Sequence, residues 1–241
     1  MYDILNMAKI AADVYNDVSE SDMLRDWHTN QIQDLHECKK DNFLARAYWR
    51  GSRNRIACVC FRGTDDLQDA LVEDLGGIGL GLNALAMKLN DAVEFTASVA
   101  ARAEITWLTG HSLGGAYVQL VGAILGLPGI SWNAPGALAL VNQLSSNPIR
   151  SAVGGIGSAG MGVLASLPTA GLGGLAVSLM NKLAALGGDE AFAPIANYRG
   201  NWDPVSLVGT HVGVPLETIV CPTQSPHVHS MIPIIRALEL R

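Results

Sequence analysis

Ile105-Thr106-Trp107-Leu108-Thr109-Gly110-His111-Ser112-Leu113-Gly114-Gly115-Ala116 is the stretch that decides the fold. A β-branched and aromatic run leads straight into Gly-x-Ser-x-Gly, and an apolar, helix-length segment, Ala116 to Leu125, follows without a linker. That order is strand, tight turn, helix. A serine at the tip of such a turn must take a strained backbone, and residues two before and two after it come close. Missing side chains at Gly110 and Gly114 let those backbones pass. The hydroxyl is then held above the sheet, at a helix N-terminus whose free N–H groups stabilise a developing oxyanion. Ser112 is the candidate nucleophile. The plain alternative is a Gly-rich strand-to-helix turn with no chemistry, and the flanking strand and helix argue against it.

Around this stretch the composition supports one large core. The chain has 241 residues, of which 49% are apolar and 16% charged, and no polar linker divides it. The expectation is a single domain over residues 1–241 with little disorder. A net charge of −6 and the lack of a basic patch exclude a nucleic-acid partner. The opening Met1-Tyr2-Asp3-Ile4-Leu5-Asn6 has neither a basic n-region nor an apolar h-region, so no cleavable signal peptide is expected. The four cysteines include Cys58 and Cys60 on one face of an expected strand, with Cys38 and Cys221 isolated. They are expected to be reduced core thiols, not a metal site.

Taken in order, residues 3–18 have helical spacing in Ile4, Ala8, Ala11, Ala12 and Tyr15. Residues 19–42 are polar and irregular, and His28 and His36 among them are expected at the surface. Phe43 to Trp49 and Ile56 to Phe61 predict two strands joined by a turn at Gly51-Ser52-Arg53-Asn54-Arg55. Phe61-Arg62-Gly63-Thr64 ends the second strand. Thr64 or Asp65 then caps a helix with acidic residues in its first turn, a more economical reading than a calcium site. Gly76 to Gly81 is expected to be a flexible interruption, and Asn83 to Arg102 a helix. Gly129 to Ala134 and Ile195 to Arg199 predict further strands, Leu216 to Val220 an edge strand, and Ser230 to Leu240 a closing amphipathic helix. Strands alternating with helices imply an α/β fold: a mostly parallel central sheet with helices on both faces.

A serine nucleophile needs an imidazole to accept its proton and a carboxylate to orient that imidazole. In sheets of this type the order along the chain is Ser, acid, His. The acids after Ser112 are Asp189, Glu190, Asp203, Glu217 and Glu239. Asp203 directly follows a predicted strand and precedes a proline that stops it, which makes it the best acid. For the base, His111 points elsewhere on the turn and His211 lies close behind Asp203. His227 and His229 enter the last helix. His229 is favoured because Ser230 can cap that helix and hold the imidazole at its mouth; His227 is the alternative base.

Phe61-Arg62-Gly63-Thr64, Thr109 to Ala116, Asn133-Ala134-Pro135-Gly136 and Asp203-Pro204-Val205 together resemble the class 3 lipases of the α/β-hydrolase fold. His229-Ser230-Met231 before an apolar helix resembles bacterial phospholipase-like members. The resemblance implies an oxyanion hole from the backbone N–H groups of Thr64 and Leu113, with the Thr64 hydroxyl as a further donor. It implies a structural Arg62, and an enzyme of the lipase or phospholipase A type working through Ser112, Asp203 and His229 without a cofactor. A catalytically inactive lipid- or protein-binding member, or an acyltransferase or thioesterase on the same scaffold, is the competing expectation.

From Ser151 to Asn181 no residue is charged, and small residues recur every fourth position on either side of Pro168. Residues 151–188 are expected to form an apolar helical insert. It would serve as a lid over the acyl site, a membrane-dipping hairpin or an ordinary buried helix pair. A lipid or phospholipid substrate, transient membrane contact through 151–181 and an inhibitory or immunity protein covering the insert are the expected partners. Without a leader, the expectation is synthesis in the cytoplasm, with use there or export as an effector by a signal-independent route.

Overall fold

A computed structural model describes residues 4–17, 24, 26–29, 35–41, 43–51, 56–63, 76–138, 194–222 and 228–241, the span 76–87 by its backbone alone. The insert 151–188, Thr64, Asp65 and His227 lie outside the described residues.

Among the described residues the organising element is an eight-stranded sheet. Its hairpin is β3 (Phe43–Arg50) and β4 (Ile56–Phe61), antiparallel with Arg50 opposite Ile56, and Gly51 in the turn takes φ +93°. From β4 onward the sheet is parallel, through β5 (Ile105–His111), β6 (Gly129–Trp132), β7 (Ile195–Gly200) and β8 (Glu217–Ile219). Two further strands, β1 (Trp27–His28) and β2 (Glu37–Lys40), pair antiparallel with β3. The expectation that residues 19–42 are irregular is thereby corrected. The open edge of β3 imposes pairing on segments too short and too polar to carry a period-two signal. His28 and His36 are exposed, as the sequence suggested.

Strand periodicity divides the core in two. Phe43, Ala45, Ala47 and Trp49 of β3 face the layer of α2 (Gly76–Ala100) and α3 (Leu113–Leu125). Leu44 and Tyr48, with Cys58 and Cys60 of β4, face α1 (Ile4–Asp13) and α4 (Met231–Glu239). Helices cover both faces, so this is the α/β arrangement of a mostly parallel central sheet that the sequence implied. Cys58, Cys60 and Cys221 are buried free thiols, and Cys38 is half-buried and free. Burial raises the Cys58 and Cys60 thiol pKa values well above the ordinary range.

Two helix starts differ from expectation. The run Gly76 to Gly81 belongs to α2 and does not interrupt it. Once Leu89, Ala92, Val93, Phe95 and Val99 anchor the helix in the core, extending it costs only about 1 kcal/mol per glycine relative to alanine. Likewise α3 begins at Leu113, immediately after the serine, and not at Ala116.

Where α1 ends, a buried arginine holds the turn. Arg46, only 4% exposed, donates through Nη1 to the carbonyls of Asp13 and Asn16, and through Nη2 and Nε to Glu37 at 3.0 and 3.1 Å. The guanidinium satisfies carbonyls at a helix C-terminus, where positive charge is favoured. Tyr48 donates to Asp13 Oδ2 at 2.8 Å on the same side of the sheet. Arg46→Ala leaves the buried Asp13 and the half-buried Glu37 without their cation, and a loss of about 3 kcal/mol is expected in urea denaturation. A loss well under 1 kcal/mol would contradict this role.

Candidate active site

Every parallel strand from β4 to β7 delivers its carboxyl end to the same side, where sites form in such sheets. At the end of β5, Ser112 takes φ 58° and ψ −130°, a left-handed conformation that non-glycine residues avoid. Its N–H donates to Trp132 O at 2.9 Å, tying the turn to β6. The flanking glycines are required by close approach. A Cβ on Gly110 would sit 2.5 Å from Gly114 O, and one on Gly114 would run into the carbonyl oxygen of Phe61 at the end of β4. Leu113 opens α3, so its N–H belongs to the first turn, where no intrahelical partner exists.

Asp203 follows β7, is 1% exposed and accepts the Ser206 N–H on Oδ2 at 2.9 Å. Its Oδ1 lies 2.7 Å from His229 Nδ1. Burial alone would raise the Asp203 carboxyl, but the His229 hydrogen bond and charge, with the Ser206 bonds, outweigh it and hold the pKa below the usual carboxylate range. The carboxylate places the proton of His229 on Nδ1 and leaves Nε2 as the basic nitrogen. Ser230 caps α4, accepting the Ile232 N–H at 3.2 Å, directly after His229.

The structure therefore brings Asp203 and His229 into contact. The His111 ring, one residue before the serine, stands 4.7 Å from the His229 ring. Ser112 Oγ and His229 Nε2 are both buried, and neither has a hydrogen-bond partner among the described residues. His211 donates to Ala134 O at 2.9 Å and belongs to the wall of the turn after β6. No three His, Cys, Asp or Glu side chains among the described residues are grouped to hold a metal ion.

Three residues at the site escaped the sequence reading. Asn133, at φ 45°, accepts the Gly200 N–H at 2.8 Å and donates to the His229 carbonyl at 3.2 Å. His111 also reaches that carbonyl, and Tyr15 reaches His111. The Asn-Ala-Pro-Gly end of β6 was a visible signal for Asn133. Nothing in the spacing of Tyr15 separates it from a core residue of the first helix.

Burial, with His229 as a second cause, pulls the His111 imidazole from 6.5 down to about 3. Tyr15, His229 and Asp203 are the titratable groups around it. Between those two values the unfolded chain binds a proton that the native one does not, so stability falls as pH is lowered. The expected slope from this group is up to about 1.4 kcal/mol per pH unit. Urea denaturation from pH 6.5 to 4, above the range where Asp203 adds its own loss, should show a flatter slope in His111→Gln. An unchanged slope would contradict a neutral buried imidazole.

A family model for a Tle-like phospholipase domain, of the phospholipase-like group, matches residues 6–237. A Vanderwaltozyma polyspora protein named "Putative lipase ATG15" is 53% identical over 38 residues, 16% of this chain and 7% of that protein. The chain thus matches only a small fraction of that relative's length. Among solved structures, a Rhizomucor miehei lipase propeptide complex superposes with a TM-score of 0.48 at 13% identity, covering 97% of this chain and 75% of that one. A lipase from Rhizopus microsporus var. chinensis gives 0.46 at 15% identity, covering 97% and 83%. Because the family model spans nearly the whole described fold, the chain belongs to the family of Tle-like phospholipase domains.

Proposed function

We propose that this domain is a serine carboxylester hydrolase that cleaves acyl esters of lipids, phospholipids before triacylglycerols, through an acyl-enzyme. The observation that carries the reading is the buried 2.7 Å contact between Asp203 and His229, whose ring stands 4.7 Å from that of His111, the residue before a serine in a strained strand-to-helix turn. His229 Nε2 takes the Ser112 proton as the oxygen attacks the ester carbonyl. The N–H groups of Leu113 and Thr64 hold the resulting oxyanion. The imidazolium, steadied by Asp203, then protonates the departing alcohol. Water, deprotonated by the same Nε2, attacks the acyl-serine, and the proton returns to Ser112 as the fatty acid leaves.

The preference for phospholipid is supported by the family description. The same reading makes the enzyme an exported effector, acting on membranes other than its maker's, since a free phospholipase endangers its own cell. Expression directed to a bacterial periplasm should then damage the envelope, and Ser112→Ala should abolish the damage. Harmless expression of the active enzyme would count against the effector role.

With mixed phospholipid vesicles and a triacylglycerol emulsion offered side by side, fatty acid release should be faster from the vesicles. Ser112→Ala should lower turnover about 10⁴–10⁶-fold with the fold intact, and Asp203→Asn about 10⁴-fold. His229→Ala should fall at least as far as Asp203→Asn, while His227→Ala stays within about threefold of the parent. Equal, mild losses for the two histidines would mean that neither is the base.

A further inference from the structure

We infer that Tyr15 and His111 are positioning residues: the His111 imidazole, gripped between the Tyr15 hydroxyl and the His229 carbonyl, aligns the loop that carries His229 with the backbone at Gly63 after β4. The inference rests on the reading of His229 as the base and Thr64 as an oxyanion donor. Its physical content is a hydrogen-bond chain whose polarity runs one way. The Gly63 N–H donates to Tyr15 Oη at 3.1 Å. Tyr15 Oη lies 3.1 Å from His111 Nδ1, and His111 Nε2 lies 2.5 Å from the carbonyl oxygen of His229.

A carbonyl can only accept, so Nε2 carries the imidazole proton. Nδ1 is then a bare lone pair, and the tyrosine hydroxyl donates to it. Protonating His111 would give Nδ1 a hydrogen pointing at the phenol oxygen. That oxygen could still accept it, but the chain would lose its direction and set a cation against the His229 ring 4.7 Å away. Burial at 5% exposure keeps this form out of reach at neutral pH.

Each end of the chain meets the chemistry. Gly63 immediately precedes Thr64, and the fit there is close: a Cβ on Gly63 would stand 2.6 Å from Tyr15 Oη and 3.0 Å from Ser112 Cβ. At the other end, the carbonyl that His111 grips belongs to the residue whose ring is bonded to Asp203, and Asn133 donates to the same carbonyl. Asp203 fixes the imidazole plane from the side chain, while His111 and Asn133 fix the backbone that carries it. Tyr15 gives the N-terminal segment a direct hold on the site. It lies just beyond α1, between Asp13 and Asn16, whose carbonyls Arg46 ties down. The phenol is therefore presented from an anchored turn. Supporting shells of this kind control rate through placement, and a shift of about 1 Å can cost roughly 10²-fold.

The test uses a water-soluble short-chain ester, p-nitrophenyl butyrate, so that interface binding does not enter. In His111→Leu, kcat should fall about 10–100-fold with KM within about twofold. His111→Gln places an amide donor near the position of Nε2 and should recover most of that loss. Tyr15→Phe should lower kcat about 3–10-fold, and the Tyr15→Phe/His111→Leu double variant should lose less than the product of the single losses, since Tyr15 acts partly through His111. Near-UV circular dichroism on each variant reports the native fold, and if His111→Leu does not fold, His111→Gln and Tyr15→Phe carry the test. An unchanged kcat in His111→Leu, or equal losses in His111→Leu and His111→Gln, would overturn the inference. So would strict additivity. Ser112→Ala separates the two levels: if it abolishes turnover while His111→Leu does not slow it, only the positioning role fails, whereas turnover surviving in Ser112→Ala overturns the catalytic reading as well.

Discussion

The strained backbone of Ser112 is the constraint on which the rest of the molecule depends. A non-glycine residue at φ 58° persists only where its surroundings over-determine it. Here β5 and α3 meet without a linker, Gly110 lies against Gly114, and Gly114 lies against the last carbonyl of β4. The turn can form only if three elements converge at van der Waals distance. The parallel pairing of Phe61 with Gly110 and of His111 with Trp132 supplies that convergence. Strain at the serine and close packing of the sheet's carboxyl edge are therefore one fact seen from two sides.

The same edge explains why the polar groups of the site can be buried. Asp203 and His229 are almost fully out of water, which would be costly for an unpaired carboxylate. Each is bonded instead: Asp203 to the Ser206 N–H and the imidazole, and the His229 carbonyl to Asn133 and His111. Asn133 also takes the Gly200 N–H, so the ends of β6 and β7 and the entrance to α4 share one network. In low dielectric such bonds are strong, and a missing member is correspondingly expensive. Within this network Ser112 Oγ and His229 Nε2 are buried with no hydrogen-bond partner among the described residues, which leaves both available to a substrate.

Much of this was legible before any coordinates. The Gly-x-Ser-x-Gly turn, the β3–β4 hairpin, the parallel strands and the Ser230 cap each carry a local signal, in periodicity or in turn chemistry, that tertiary structure does not override. Asp203 was legible because a strand ends there against a proline. The short strands β1 and β2 were not, since their pairing is imposed by the edge of β3 and not by their own residues. The glycines of α2 misled because local propensity was weighed without the core that anchors the rest of that helix. Tyr15 and His111 stayed hidden for a different reason. Their partners are far away in sequence, at Gly63 and His229, and a single chain carries no trace of such pairings.

The central claim is that His229 turns the Ser112 hydroxyl into a nucleophile. The most direct measurement is covalent labelling with a fluorophosphonate, followed by peptide mapping, in the parent and in His229→Ala. The account predicts a single adduct on Ser112, formed at least about 100-fold more slowly when the imidazole is removed. An adduct on another residue, or a rate on Ser112 that does not change in His229→Ala, would contradict it.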